Sequence, residues 1–151
     1  MRITKETKQQ LGGDRNVLCL SLLQGEARKQ VLTFTKNNLP VDITNFTFEF
    51  KLIERSAAYV SDTKNGINIV GLGIKPGAVA YDLDTYVYVT DAVNGICFVH
   101  IPTIITAIEP EDPDSTMPII FTGFLTVRDN ASLGESIQKI QFLILVSNDG
   151  V

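Results

Sequence analysis

Hydrophobic and polar positions alternate most cleanly between Phe46 and Leu52. Phe46, Phe48, Phe50 and Leu52 share one parity, and Thr47, Glu49 and Lys51 share the other. Successive side chains of a strand point to opposite faces, so this run predicts a strand with one apolar and one solvated wall. A slip of one residue would turn every apolar side chain of the run outward, so the register is firmly set. Each of these side chains contributes roughly 1.5–3 kcal/mol when fully buried.

The same period of two recurs along the chain. Leu32 and Phe34 lie opposite Thr33 and Thr35; Tyr86 and Tyr88 lie opposite Val87 and Val89. Ile96 to Ile101 forms a strand that Pro102 ends. Ile119, Phe121, Leu125 and Val127 are in phase within Met117–Val127, and Ile140, Phe142, Ile144 and Val146 within Ile137–Ser147. Ile67, Ile69 and Val70 form a short strand behind the turn signal Asn65-Gly66. Asn16 to Leu23 is apolar on both parities, which predicts a strand covered on both sides; the Gly25 that follows favours strand over helix.

Breakers separate these runs. Gln24-Gly25-Glu26 and Lys36-Asn37-Asn38 read as turns, the latter because Asn tolerates positive φ. Pro40 lacks a backbone donor and belongs to an edge or a connection. Glu54 to Asn65 and Arg128 to Glu135 read as polar loops, and Ile104 to Ile108 as one helical turn or an extended crossing. Met1 to Arg15 is polar and reads as an arm, either a frayed terminus or a segment that docks on a neighbouring subunit. The sum is about eight strands without a long helix. The expected fold is all-β: an antiparallel β-sandwich, immunoglobulin-like or jelly-roll-like, over 16–151, preceded by a flexible N-terminal arm over 1–15.

A chain of 151 residues suits one domain and needs neither disulfide nor metal to hold its core. Its formal net charge of −4 argues against nucleic acid as a partner, since phosphate binding needs a basic stripe. Cys19 and Cys97 fit no metal spacing and read as small buried hydrophobes; whether they pair depends on whether their strands are neighbours. No apolar run approaches the roughly 20 residues of a membrane span. Met1-Arg2-Ile3-Thr4-Lys5 leads into polar residues, so no secretory leader is expected, and folding in a cytoplasm is.

Candidate chemistry is sparse. His100 is the single histidine and lies inside a strand, where a structural role outweighs a triad or metal role. The serines have no nucleophile elbow around them. Glu109, Glu111, Asp112 and Asp114 offer oxygen ligands for a cation, but their spacing is not that of an EF-hand, and a solvated loop is the stronger reading. Gly71-Leu72-Gly73 is no nucleotide loop, because Lys75-Pro76-Gly77 stops a helix from following. Tyr81, Tyr86 and Tyr88 are either half-buried strand residues or the lining of a sugar or partner surface. No catalytic, cofactor-binding or metal-binding residue is assigned.

From Leu22 to Lys51 the chain resembles the β-sandwich domain that begins bacteriophage baseplate upper proteins. The resemblance is carried by Gln24-Gly25-Glu26, then Val31-Leu32-Thr33-Phe34, then Pro40-Val41-Asp42-Ile43-Thr44, then Phe46 to Lys51. Asn94-Gly95 before Ile96-Cys97-Phe98-Val99, and Thr122-Gly123-Phe124-Leu125-Thr126-Val127, are similar to later steps of such domains. The resemblance implies a non-enzymatic virion structural protein of a tailed phage, in the tail, baseplate or fibre-attachment region. Its partners would be other virion proteins and copies of itself, with no cofactor, nucleic acid or membrane. In those proteins the sandwich usually anchors a long downstream part, so the resemblance leaves two expectations for Met1 to Val151, a fragment of a longer polypeptide or a stand-alone adaptor, and the second, a small virion protein, is the one favoured. Two alternatives stay open: a capsid decoration or head-fibre protein, and a carbohydrate-binding adhesin module that meets a host-surface glycan through the tyrosines.

Overall fold

A computed structural model describes residues 2–5, 17–56, 73–74, 77–108, 118–132 and 135–147. In chain order its strands are β1 (Arg2–Lys5), β2 (Val17–Leu23), β3 (Arg28–Lys36), β4 (Leu39–Pro40), β5 (Phe46–Ser56), β6 (Gly73–Ile74), β7 (Tyr81–Asp82), β8 (Val87–Asp91), β9 (Ile96–Ile101), β10 (Ile119–Asp129) and β11 (Glu135–Ser147). A single helical turn, α1 (Thr103–Thr106), and short 3-10 turns at Asp84–Tyr86 and Asn130–Ser132 complete the described elements. The fold is all-β. One sheet runs β1-β3-β9-β8, with β4 also on β3; the other runs β2-β11-β10-β5-β6, with β7 also on β5.

The inner faces of the two sheets supply one core. Leu32, Phe34, Cys97 and Val99 come from the first sheet, and Phe50, Leu52, Phe121 and Phe142 from the second; all are fully buried. Phe34 joins the layers: its ring meets those of Phe46 and Phe48 edge-on, with centroids 6.3 and 6.0 Å away. Edge-to-face pairs of this kind stabilise by about 0.5–1.5 kcal/mol beyond their buried area.

The alternation of Phe46 to Leu52 keeps its expected phase but not a uniform depth. Phe50 and Leu52 are completely buried, whereas Phe46 and Phe48 are half-buried at the rim. The strand also runs on to Ser56, so Glu54 to Ser56 belong to β5 and not to the loop the polar composition suggested. Cross-strand pairing with β10, where Ile120 lies opposite Arg55 and Phe121 opposite Glu54, extends the ladder past the last inward hydrophobe.

The first turn motif in this part of the chain is a corner between the sheets, and the second is a hairpin within one sheet that leads into a crossing. At the first, Gly25 has φ +80 and takes the chain from β2 to β3. Gln24 N–H donates to the Ser147 carbonyl and Gly25 N–H to the Thr106 carbonyl, each at 3.0 Å. The Glu26 carboxylate accepts the Leu23 N–H at 2.9 Å and pairs with Arg28 at 2.9 Å, while Thr106 Oγ1 donates to the Glu26 carbonyl at 2.7 Å. At the second, Asn37 and Asn38 both have positive φ, which closes β3 onto β4 as a two-residue hairpin. Pro40 sits on that short outer strand, and Val41 to Asn45 then cross to β5. Asp42 Oδ1 caps the Thr44 N–H at 2.9 Å, and the buried Ile43 donates its N–H to Ala92 O at 2.8 Å.

Three further points depart from the expectations. β2 runs parallel to β11, with Val17 opposite Gln141 and Leu23 opposite Ser147, within otherwise antiparallel sheets. The chain leaves β2 through the Gly25 corner into the other sheet, so no hairpin ties β2 to its neighbour or dictates its direction. Within the expected arm, Arg2–Lys5 forms a strand antiparallel to β3. Finally, Thr85 and Tyr86 belong to the 3-10 turn, and β8 begins at Val87. Ile104 to Ile108 resolves into the helical alternative, with Ile105 fully buried under α1. The strand expected at Ile67–Val70, its turn Asn65-Gly66, residues 6–15 of the arm, Gly71-Leu72 and Gly134 lie outside the described residues.

Candidate interaction surface

Period-two alternation on β9 buries Cys97, Val99 and Ile101 and turns Ile96, Phe98 and His100 to the outer face. Strand register brings Tyr88 of β8 and Val31 of β3 beside Phe98, and Lys29 beside His100. The Tyr88 and Phe98 rings stack with centroids 4.9 Å apart and planes 25° apart. Lys29 Nζ lies 4.2 Å from the Phe98 centroid. Tyr86 and His100 stack beside them, at 5.8 Å and 22°. The result is a row of side chains across three strands that ends in a cation at Lys29 and a half-exposed phenol at Tyr88. A cation over an exposed ring contributes about 0.5–1 kcal/mol.

The three tyrosines do not form one surface. Tyr81 is on β7 in the second sheet, and its ring packs on the buried Phe121 with centroids 6.1 Å apart. Tyr86 and Tyr88 accompany the first sheet and use ring faces on His100 and Phe98. Phe98 and Lys29, which complete the row, were legible only in part: the period of β9 places Phe98 and His100 together, but the register that adds Lys29 and Tyr88 is tertiary.

A second polar constellation fastens β7 and the following 3-10 turn to β5. Lys51 Nζ lies 2.8 Å from Asp82 Oδ1 and 2.9 Å from Asp84 Oδ2, and Phe50 N–H donates to Asp84 Oδ1 at 2.7 Å. Asp82, then Asp84, holds the Lys51 ammonium above its ordinary value, and Lys51 holds the Asp82 carboxyl below its own. These groups are solvent-exposed, so the pairs contribute little to stability.

Cys19 and Cys97 lie on different sheets and are not joined to each other. Burial alone pushes the Cys97 thiol up to about 12. Glu109, Glu111, Asp112 and Asp114 lie outside the described residues; among the described residues no group of three or more His, Cys, Asp or Glu is placed to hold a metal ion. None of the helices formed by the described residues is long and apolar enough to cross a membrane.

No family model matches the chain, and no curated protein matches it. Among solved structures it aligns with a family 123 glycoside hydrolase from Clostridium perfringens, described for glycolipid glycan hydrolysis, at 11% identity and a TM-score of 0.34. The alignment covers 88% of this chain but 23% of that one, so this chain spans about a quarter of its length. A likeness at that TM-score carries no argument for fold or function.

Proposed function

We propose that the protein is a non-enzymatic structural component of a tailed-phage virion, assembling in the tail, baseplate or fibre-attachment region. The supporting observation is the resemblance of Leu22 to Lys51 to the domain that begins baseplate upper proteins. Its quoted turn residues, Gln24-Gly25-Glu26 and Pro40-Val41-Asp42-Ile43-Thr44, are also the residues that carry the chain between sheets here. A motif whose residues build the corners of a sandwich marks an architecture, and the resemblance brings no catalytic residue with it.

In this reading the protein is made in the host cytoplasm and resides in the virion. It works through protein–protein contacts with other virion proteins and with its own copies. The Lys29, Phe98 and Tyr88 row suits such contacts, since tyrosine and aromatic side chains are enriched at protein interfaces. Peptide mapping of purified particles tests the proposal. Peptides of this chain should be recovered in stoichiometric amounts from mature particles, and their absence overturns it.

A further inference from the structure

An asparagine followed by glycine readily loses its side-chain amide, because glycine puts no side chain in the way of attack by its own nitrogen. Asn94-Gly95 is such a pair, in the turn between β8 and β9. The chemistry needs only water. The Gly95 nitrogen attacks Asn94 Cγ, the new N–Cγ bond closes a five-membered imide, and the Cγ–Nδ2 bond breaks. Nδ2 leaves as ammonia with the proton that the Gly95 nitrogen gives up. Water then opens the imide at one of its two carbonyls. Opening at Cγ gives an ordinary aspartate. Opening at the main-chain carbonyl gives a β-linked aspartate, whose backbone is one carbon longer.

In the folded turn each group that must react is engaged. Asn94 Nδ2 donates to Asp91 Oδ2 at 2.8 Å, and Asn94 N–H to Asp91 Oδ1 at 3.3 Å. The carboxamide is thereby tied to the end of β8 and is not free to close onto Gly95. Gly95 N–H donates to Ala92 O at 3.2 Å, and the same carbonyl accepts the Ile43 N–H at 2.8 Å. Asn94 is exposed but Gly95 is buried, so the nitrogen that has to lose its proton is shielded from base in solution.

We propose that Asn94 is a deamidation site held closed by the folded turn, with Asp91 as its latch, and that reaction there is a one-way exit from the fold. The inference stands apart from the virion reading. The products fit the turn badly. Gly95 accepts the Phe34 N–H at 2.8 Å, and the Val41 and Phe34 carbonyl oxygens close the space beside its Cα, 2.5 and 2.7 Å from where a Cβ would stand. An extra backbone carbon before Gly95 displaces it from that junction. The ordinary aspartate keeps the backbone but sets a second carboxylate where the Asn94 amide donated to Asp91. A chain modified while open therefore does not return to the parent fold.

Chymotrypsin, cutting after Tyr88 and Phe98, isolates Val89–Phe98, in which Asn94 is the sole asparagine. The full chain is aged in mildly alkaline buffer at several urea concentrations, and the peptide is followed by mass for the amide-to-acid change. Conversion in the native parent should be at least about tenfold slower than in unfolding urea, and should rise between them with the open fraction. In Asp91→Ala, checked for a cooperative melt, native conversion should be at least about tenfold faster than in the parent, since both bonds to a charged acceptor are gone. After ageing in urea and dilution, the parent should recover its thermal transition less completely than Asn94→Ser treated alike. That comparison removes the share of the other such pair, Asn65-Gly66. A native rate equal to the unfolded one or indifferent to urea, a folded Asp91→Ala chain no faster than the parent, or equal recovery of parent and Asn94→Ser overturns the proposal.

Discussion

Phe34 donates its backbone N–H to the carbonyl of Gly95 at 2.8 Å, and Gly95 gives up its side-chain space to Phe34 in return. A Cβ on Gly95 would stand 2.7 Å from the Phe34 carbonyl oxygen and 2.5 Å from that of Val41. Gly95 also has φ +70. The β8–β9 turn, the β3 strand and the crossing to β5 therefore meet at one residue without a side chain.

Gly95→Ala should destabilise the fold by at least about 2 kcal/mol, since the left-handed conformation alone costs roughly 1–2 kcal/mol and the two carbonyls must move besides. For a chain of this size that corresponds to a fall in Tm of roughly 4–8 °C. Calorimetry checks it, and a Tm within a degree of the parent would contradict the geometry.

Substitutions along β5 should report its graded depth. Phe50 is fully buried and packs on Phe142 with centroids 4.8 Å apart, so Phe50→Ala should cost about 3–5 kcal/mol. Phe48→Ala, at the half-buried rim, should cost less, and Phe48→Asp should be tolerated better than Phe50→Asp, which puts an unpaired charge in the core. Urea denaturation of the four variants measures the order; equal losses at both positions would refute it.

Acid should weaken the Gly25 corner. The Leu23 N–H, and after it Arg28, holds the Glu26 carboxyl below its ordinary value of 4.5. A carboxyl lowered in the folded state stabilises above its unfolded value, and the stabilisation is lost as pH falls through the folded one. Glu26→Gln should therefore melt below the parent at pH 7, and the gap should close as pH drops below about 4.5. Melting curves across that range decide it; a gap that persists or widens in acid is the contrary result.

Cys97 should be inert in the folded protein. It is wholly buried, and its thiol is pushed up to about 12, so almost no thiolate forms near neutrality. Iodoacetamide at pH 8 should leave Cys97 unmodified in native protein and modify it fully in denaturant, as read by peptide mass. Rapid labelling of Cys97 in the native state would show that the strand opens.

Much of this was legible locally. The parity of Phe46 to Leu52, of Leu32 and Phe34, and of Ile140 to Val146 determined which side chains face inward, because strand geometry ties face to parity whatever the neighbours are. Asn37-Asn38, Gly25 and Pro40 likewise marked the turns and the guarded edge through φ and the missing donor. Partners were not legible, because pairing is decided between residues far apart in sequence. Only the tertiary structure set β2 parallel to β11, put Tyr81 on the other sheet from Tyr88, and left Phe48 at the rim while burying Phe50. Alternation states which face a residue is on; how deep that face lies, and what lies beside it, depends on the strands that arrive from elsewhere.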